Sequence, residues 1–419
     1  MKIMHICDWY TAIGGAEKLM FDVLHAVEQL GHENIMVMNA HPNQIKTGQR
    51  VEIEVPDIEM PFSQFTFLYY FKIYKCIREL GRIIKKYKPD VCHIHSCQNP
   101  YVVKFLMKTI PCVRNIHDPR LYCFTHWKLL PDNKTICPYP MGRECLNQGC
   151  ISLDQPKTLH EKIAVWTRKH FDVHRQMPVF IMESRATIAC MKENGFKDEQ
   201  INWIPNFTPI RPREEVQELI DTLHKPEENH ILMVGRASPE KGFDITLDAV
   251  KYLKTRDVKV HFVTGGPPHY EAIEKRVKSD PLLSKQVILE GILSYEKTRL
   301  KYAMADAIII PSVWMETFCL VGLEAMANMK PVIGSYTGGI KDWLANGETG
   351  YHFEMGNPKD LAKKIDLLLS DKKRASEMGQ KGYDRVCRLY NKDRYMKDLF
   401  NAYDKSIAIW NKRSKPRAA

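Results

Sequence analysis

Two stretches of the chain repeat one order of elements, and this repetition limits the possible folds more than any other feature. The first is the apolar segment 2–7, a loop through Gly14-Gly15 and an amphipathic helix. The second is the apolar segment 230–234, a loop through Gly242 and another amphipathic helix. A buried strand followed by a glycine loop and a helix is typical of parallel sheets with crossover helices.

Each of the two stretches opens a series in which short β-rich segments alternate with helices. The predicted strands of the first series lie at 34–38, 90–95, 113–117, 179–182 and 201–205, and those of the second at 258–264, 287–290, 307–311 and 331–334. We therefore predict an α/β protein with two doubly wound, Rossmann-like domains, joined within the proline- and charge-rich residues 206–230. The chain after about residue 382 is predicted to be helical. Ligands of such domains bind at the carboxyl ends of the strands, so we expect a cleft between the two domains.

Composition excludes several classes of protein. The 419 residues are 44% hydrophobic and 26% charged, which indicates globular domains rather than a disordered or fibrous chain. No apolar run approaches the roughly 20 residues that cross a bilayer. Asp8 interrupts the apolar start where a signal peptide would continue. We therefore expect a cytoplasmic protein. Peripheral binding to the inner face of the cell membrane is compatible with this location.

The charge balance favours anionic partners. Lysine and arginine exceed aspartate and glutamate by 61 − 50 = 11. Phosphates, nucleotides and acidic lipids all fit this surplus. We expect no nucleic-acid partner, because no zinc finger, helix-turn-helix or stacking motif accompanies the charge. The 12 cysteines are expected to be reduced thiols or metal ligands in this compartment.

The segment 311–327 carries the most chemical information. A predicted strand ends at Pro311, and a helix is predicted to begin near Leu320, with Glu316 before it and Glu324 in its second turn. Free N–H groups at such a helix start bind anionic or hydroxyl oxygens, and ionised glutamates accept hydrogen bonds from vicinal hydroxyls. The alternative is that each glutamate only compensates the helix dipole.

This segment resembles the signature of glycosyltransferase family 4, the retaining transferases of GT-B fold. Further stretches that resemble the family, in the same order, are Gly14-Gly15-Ala16-Glu17, His117-Asp118, Ile204-Pro205-Asn206, the residues 234–242, Gly338-Gly339 and the residues 347–350. The resemblance implies an acceptor-side domain over 1–206 and a nucleotide-sugar domain over 207–385. It also implies that a final helix in 386–419 returns to the first domain, followed by a basic tail.

The resemblance also implies roles for single residues. Arg236 and Lys241 would hold the donor diphosphate and stabilise the leaving group, and Glu316 would hold sugar hydroxyls. Glu324 would bind the ribose. The remaining donor contacts implied by the family pattern come from Gly14, Gly15, Gly235, Ile292, Leu293, Phe318, Cys319, Leu320 and Val321. Cys319 stands where the family usually has glycine, which affects donor choice if its side chain faces the donor.

His117 and Asp118 would lie near the transferred sugar. The resemblance implies transfer with retention by front-face attack, with no required metal or other cofactor and with a phosphate oxygen as the proton acceptor. His117 would orient the sugar or help the acceptor lose its proton; the alternative is a structural histidine.

The implied function is transfer of a sugar from a UDP- or GDP-sugar to a polysaccharide, glycolipid or lipid-linked oligosaccharide. The alternatives are a GT-B sugar-nucleotide epimerase and a non-catalytic scaffold that binds nucleotides or membranes.

Two segments lie outside this pattern. The loop 118–155 has little periodicity and contains Cys123, Cys137, Cys145 and Cys150, which are either a structural metal site or ordinary thiols. The residues 62–88 are first aromatic and then basic, with a helical stripe at Ile73, Ile77, Leu80, Ile84 and Tyr87. This segment is either a membrane-surface helix or a packed helix with a solvated basic face. The tail 412–417 adds further positive charge.

Overall fold

A computed structural model describes residues 1–7, 14–39, 51–55, 67–132, 134–150, 171–223, 225 and 227–414. The chain divides into two compact units. The first comprises Met1–His126, Pro138–Pro205 and Tyr395–Ala419, and the second comprises Trp127–Cys137 and Asn206–Arg394. Each unit has its own parallel sheet.

The first unit is built on a parallel sheet that has seven strands in the described part of the chain. Their order is β3-β2-β1-β4-β5-β6-β7. The strands are β1 (Lys2–Cys7), β2 (Glu33–Met38), β3 (Val51–Glu54), β4 (Val91–Ile94), β5 (Cys112–Ile116), β6 (Phe180–Met182) and β7 (Ile201–Trp203). The inner strands are buried over nearly their whole length because helices cover both faces of such a sheet. The strand order reverses between β1 and β4, which are paired with Ile3 opposite Val91.

Helices connect these strands, and a capping side chain marks the start of α3 and of α5. The helices are α1 (Gly15–Gln29), α2 (Phe67–Tyr87), α3 (Pro100–Thr109), α4 (Glu144–Asn147) and α5 (Arg185–Glu193). Asn99 caps α3 by accepting from the backbone N–H of Tyr101, and proline occupies the first helical position. Ser184 caps α5 by accepting from the N–H of Thr187.

The second unit repeats the architecture with a sheet of six strands among its described residues, in the order β10-β9-β8-β11-β12-β13. The strands are β8 (Asn229–Val234), β9 (Val258–Val263), β10 (Val287–Gly291), β11 (Ala307–Ile310), β12 (Val332–Ser335) and β13 (Gly350–Phe353). All neighbouring strands are parallel. The strand order reverses between β8 and β11. Sheets of this kind bind ligands at such a reversal, just beyond the carboxyl ends of the strands.

The helices of the second unit pack on both faces of that sheet. They are α6 (Arg213–Leu223), α7 (Phe243–Val250), α8 (His269–Ser279), α9 (Pro281–Gln286), α10 (Tyr295–Met304), α11 (Leu320–Ala327), α12 (Ile340–Trp343), α13 (Pro358–Leu369) and α14 (Lys372–Leu389). The last helix, α15 (Lys392–Ser414), belongs to the first unit from Tyr395 onward. There, Tyr403 bonds to His93 at 2.8 Å and Ser406 donates to the carbonyl of Cys112 at 2.8 Å.

The predicted pair of doubly wound α/β domains is confirmed, with local differences. The domain boundary was predicted within 206–230, and the units divide at Pro205 and Asn206. The sequence did not predict α6, which lies in this segment with two acidic residues in its first turn. Residues 127–137 and 386–394 belong to the second unit, whereas the sequence placed them with the first domain and with the returning helix.

The irregular loop 118–155 is more ordered than its composition suggested. It contains a 3-10 turn at Pro119–Leu121, a β-bridge between Leu129 and Ile136, and α4. Residues 133 and 151–155 of the predicted loop lie outside the described residues.

The basic segment forms α2, and the face that packs against the unit differs from the predicted stripe, of which Ile77, Ile84 and Tyr87 are only half-buried. Ile73, Cys76, Leu80 and Ile83 are buried. Ile73 packs with Tyr101 of α3. Residues 62–66, the side chains of 67–69 and the tail from 415 onward lie outside the described part of the chain. Among the described helices, none has the length and low polarity that a bilayer crossing needs.

Candidate functional site

The loops that follow β8 and β11 carry the predicted donor-binding residues of the second unit. Gly235 and Arg236 follow β8 directly, and Ser312 lies two residues after β11. The side chain of Arg236 is 54% exposed, and its Nη2 lies 3.6 Å from Glu240 Oε1. Ser238 donates to the same carboxylate oxygen at 2.6 Å. Arg236 therefore presents a half-exposed guanidinium at the ligand-binding edge of this sheet.

A buried ion pair joins these two loops. Lys241 Nζ lies 2.8 Å from Glu316 Oε1, and Glu316 is only 3% exposed. Ser312 donates to the same oxygen at 2.6 Å. Burial opposes the charged forms, but the mutual attraction raises the pKa of Lys241 and lowers the pKa of Glu316. Both groups are therefore charged at neutral pH, so the site combines a cation with an acceptor-only carboxylate.

Two glycines allow the main chain to pack closely around Lys241 and Glu316. Gly242 caps α7 at φ +77°, and a Cβ there would collide with the carbonyl oxygen of Pro311. Gly338 has φ +46°, and a Cβ there would collide with the main chain of Glu316. Any other residue would displace the loops that hold Lys241 and Glu316.

The loop 127–137 adds an aromatic wall that the sequence did not predict. The ring of Trp127 packs edge-on against Trp314, with centroids 5.6 Å apart. Lys241 Nζ lies 5.1 Å from the centroid of the Trp314 ring. This geometry is a cation–π contact, so the two indoles help to position the ammonium group.

The helix predicted near Leu320 begins at that residue, as α11. Cys319, at its N-cap, has a left-handed backbone with φ +73°, a conformation that normally favours glycine. Burial raises the pKa of the Cys319 thiol, and the nearby Glu316 carboxylate adds to this effect. Its side chain therefore stays a neutral thiol. Phe318 is buried, and its carbonyl accepts from Trp343 Nε1 at 2.7 Å, which fixes the start of the helix.

Glu324 lies on α11, and its carboxylate accepts a hydrogen bond from the neighbouring helix α10. Tyr302 of α10 donates its hydroxyl to Glu324 Oε2 at 3.1 Å. Tyr302 is buried, and burial together with the adjacent carboxylate holds the pKa of its phenol well above the usual range. The phenol therefore remains a donor, which orients the carboxylate of Glu324.

The residues predicted to contact the base lie after β10. Ile292 is 82% exposed, and a Cβ on Gly265 would lie 2.9 Å from its Cδ1. Leu293 is half-buried. An exposed isoleucine beside a bare glycine forms a flat apolar surface on which a base can stack.

The predicted residues of the first unit gather at the ends of β5 and β6. His117 follows β5, and its Nδ1 bonds to the carboxylate of Glu183, which follows β6. Asp118 accepts from the backbone N–H and the guanidinium of Arg120, at 2.9 and 2.8 Å. Burial opposes ionisation of Asp118, but Arg120 outweighs it and lowers the pKa of Asp118. The sequence analysis did not identify Glu183. The one sequence feature that marks it is its position, as an acidic residue directly between the apolar strand β6 and Ser184, the N-cap of α5.

The glycines of the first loop lie at the start of α1. Gly14 is its N-cap, and a Cβ there would collide with the carboxylate of Glu17. Gly15 is exposed. The structure thus gives a second reason for a glycine at position 14, in addition to the predicted close approach of a phosphate.

The four cysteines of the irregular loop do not form a recognisable metal centre. In the described part of the chain they belong to no group of three or more metal-capable side chains whose ligand atoms lie within 4.8 Å of one another. Cys123 is buried, and the other three are partly exposed. All 12 cysteines of the chain are among the described residues, and none of them forms a disulfide. A structural metal at these four residues remains a prediction.

Comparisons with known proteins identify the family that the chain is similar to. Residues 13–211 match the model of the family described as Glycosyltransferase Family 4, and residues 216–385 match that of Glycosyl transferases group 1. A lipopolysaccharide 1,2-N-acetylglucosaminetransferase of Salmonella typhimurium is 31% identical over 187 residues, which are 42% of this chain. The match spans 49% of that relative, so this chain covers about half of its length.

Solved structures show the same fold over almost the whole chain. A sucrose-phosphate synthase from Thermosynechococcus elongatus matches 98% of this chain and 100% of its own, with a TM-score of 0.71 at 19% identity. The Anabaena protein HepE, solved in complex with UDP-glucose, matches 98% of this chain and 100% of its own, with a TM-score of 0.67 at 15% identity. The GT-B fold implied by the sequence resemblance is confirmed.

Proposed function

Because this chain belongs to glycosyltransferase family 4, we propose that it is a retaining hexosyltransferase that uses a nucleotide-sugar donor. The observation that carries the proposal is the buried pair of Lys241 and Glu316, flanked in the same unit by Arg236 and Glu324. Cations for a diphosphate and carboxylates for sugar hydroxyls are the two kinds of group that such a donor requires.

In this proposal the second unit binds the donor. Arg236 and Lys241 bind the diphosphate, and Glu316 accepts hydrogen bonds from hydroxyls of the transferred sugar together with the backbone N–H groups of 318–321. Glu324 accepts from the ribose, and Ile292 lies against the base. The UDP-glucose complex of the fold relative HepE supports a UDP-sugar as donor, and a GDP-sugar remains the alternative base.

The reaction breaks the bond between the anomeric carbon and the diphosphate oxygen. The acceptor hydroxyl oxygen then bonds to the same face of the anomeric carbon, and its proton passes to the departing phosphate. Negative charge grows on the diphosphate as it leaves, and Arg236 and Lys241 stabilise it there. We expect these two cations to make a metal unnecessary for catalysis.

We propose that the acceptor is a growing polysaccharide, glycolipid or lipid-linked oligosaccharide. The similarity to the lipopolysaccharide 1,2-N-acetylglucosaminetransferase of Salmonella supports this class. An acceptor of this kind is built at the cytoplasmic face of a membrane, so we also propose a cytoplasmic protein that binds this face from the side.

Helix α2 is the proposed membrane contact. Its buried stripe faces the unit, whereas Tyr70, Phe71 and Tyr74 are 52, 49 and 60% exposed. Lys75, Arg78, Arg82, Lys85 and Lys86 are exposed on the same helix. Aromatic rings beside basic residues suit the interface of a bilayer that contains anionic lipids.

We expect the protein to sediment with vesicles of phosphatidylglycerol and phosphatidylcholine, and less with vesicles of phosphatidylcholine alone. Exchange of Lys75 and Arg78 for glutamine is expected to weaken binding by about 1 kcal/mol for each residue, most clearly at low salt. Lys275→Gln, an exposed lysine of the second unit, is the matched control. Equal sedimentation of the double variant and the wild type would exclude α2 as the contact.

Glu324→Ala tests the proposed donor site. The variant is expected to bind the nucleotide sugar more weakly by about 1–3 kcal/mol, because it loses hydrogen bonds from hydroxyls to a charged group. Isothermal titration with UDP- and GDP-sugars measures this change, with Glu377→Ala on α14 as a control. Unchanged affinity would show that Glu324 does not bind the ribose.

A separate assay distinguishes a transferase from an epimerase. A transferase is expected to release free nucleoside diphosphate only when an acceptor is present.

A further inference from the structure

The side chain of Glu183 holds His117 through a contact that no motif of the sequence predicted. Strands β5 and β6 are parallel neighbours with Ile116 opposite Met182, so the residues that follow them emerge at the same edge. The Nδ1 atom of His117 bonds to Glu183 Oε1. The side chains of the two residues are only 8 and 4% exposed.

A buried carboxylate needs a compensating positive charge. Among the described residues, the ion-pair partner of Glu183 is His117. Asp118, by contrast, is already paired with Arg120 at 2.8 Å. The contact therefore places a proton between Glu183 and His117 Nδ1.

The groups around His117 also favour a charged ring. The groups that interact with His117 are Glu183 after β6, Asp118 beside it, Glu17 on α1, and His93 and His95 at β4. Tyr122 after the 3-10 turn and Tyr395 on α15 interact with Glu183. Burial and mutual repulsion hold the pKa values of His93 and His95 well below the usual range, so both rings are neutral. Burial lowers the pKa of His117, but Glu183, Asp118 and Glu17 outweigh it and raise that pKa overall.

We propose that Glu183 is a positioning residue that holds His117 as an imidazolium, with Nε2–H as the second hydrogen-bond donor of the ring. This inference rests on the proposed glycosyl transfer and selects between the two roles that the sequence left open for His117. A ring that is already protonated donates a hydrogen bond and cannot accept the proton of the acceptor hydroxyl. That proton then goes to the oxygen of the leaving diphosphate, as the proposed reaction requires.

The test is the titration of His117 in the full-length wild type and in Glu183→Gln. The imidazole signals are followed by NMR and assigned by their loss in His117→Asn. We expect the pKa of His117 in the wild type to lie above that of an exposed histidine, and to fall by at least one unit in Glu183→Gln, where burial is no longer offset by Glu183. Glu183→Asp should restore part of the shift, and Glu199→Gln, an exposed glutamate of the same unit, should change nothing.

The pH profile of kcat/KM supplies the second readout. A required imidazolium is lost as pH rises through its pKa, so the high-pH limb of activity should move to lower pH in Glu183→Gln. A one-unit move lowers kcat/KM about tenfold on the alkaline side, with little change on the acidic side. A shift of the low-pH limb instead, with a gain of activity in acid, would mean that His117 acts as a base and would overturn the proposal.

The NMR titration needs no substrate, so it separates this inference from the proposed function. An unshifted His117 in the wild type, or a titration that is the same in Glu183→Gln, overturns the role of Glu183 even if sugar transfer is observed. A shifted His117 in a protein that transfers no sugar would retain the pairing and reject the proposed function.

Discussion

Replacement of Lys241 by alanine is expected to lower kcat for sugar transfer about 10²- to 10³-fold, the range for loss of one preorganised charge at a developing anion. The ammonium group lies 2.8 Å from Glu316 and is fixed by that contact and by the Trp314 ring. It therefore needs no rearrangement when the diphosphate leaves. Steady-state kinetics with saturating donor measure the change.

The same substitution leaves a buried carboxylate without its cation, and breaking a buried ion pair costs about 3–5 kcal/mol of stability. A double variant, Lys241→Met with Glu316→Gln, separates the two effects, since it should recover much of the stability and none of the activity. Lys275→Ala, an exposed lysine on α8, should match the wild type. Activity of Lys241→Ala within tenfold of the wild type would remove Lys241 from the proposed reaction.

Trp343→Ala is expected to lower the free energy of unfolding of the second unit by about 3–5 kcal/mol, the usual cost of truncating a large buried aromatic residue. Trp343 is fully buried, and a Cβ on Gly322 of α11 would overlap its ring. Its indole N–H also donates to the carbonyl of Phe318 at 2.7 Å. The substitution therefore removes both the packing and the hydrogen bond that fix the start of α11.

Urea unfolding monitored by far-UV circular dichroism measures this loss, with the two units treated as separate transitions. Trp343→Phe keeps most of the ring volume and should cost clearly less. Trp203→Ala, a 40% exposed residue of the first unit, is the matched control. A loss below about 1 kcal/mol in Trp343→Ala would mean that the packing under α11 is not what holds the donor loop.

The sequence predicted the inner strands well because both faces of these strands are buried. Apolar runs such as that of β11, in which all four residues are buried, have few alternatives once glycine loops and helices follow them. The edge strands β3 and β13 were missed. The segment of β3 contains two glutamates in four residues, and β13 begins with a glycine, so neither has the composition of a buried strand.

Helix α6 was missed for a related reason. Its one fully buried residue is Val216, and the prolines and charges around it have the composition of a linker. Val216 packs with Met329 and Tyr383 of other elements. Ion pairs across elements, such as Arg299 with Glu215 at 2.8 Å, accompany this packing. Such pairs link residues that are 84 positions apart, which a local pattern does not contain.

The candidate site was predicted residue by residue, but its pairings were not. Sequence placed Lys241 and Glu316 in one site through family resemblance, whereas their contact depends on two loops 75 residues apart. Glu183 and Trp127 had no motif at all. Glu183 is found only when β5 and β6 are placed side by side, and Trp127 only when its loop is assigned to the second unit.

The most direct test of the central claim is equilibrium binding of UDP-, GDP- and ADP-sugars to the wild-type protein, measured by titration calorimetry at low salt. We predict that one of these nucleotide sugars binds, and that the matching nucleoside diphosphate competes with it for the same site. If none of the three binds at millimolar concentration, Arg236, Lys241, Glu316 and Glu324 do not form a donor site, and the proposed sugar transfer is wrong.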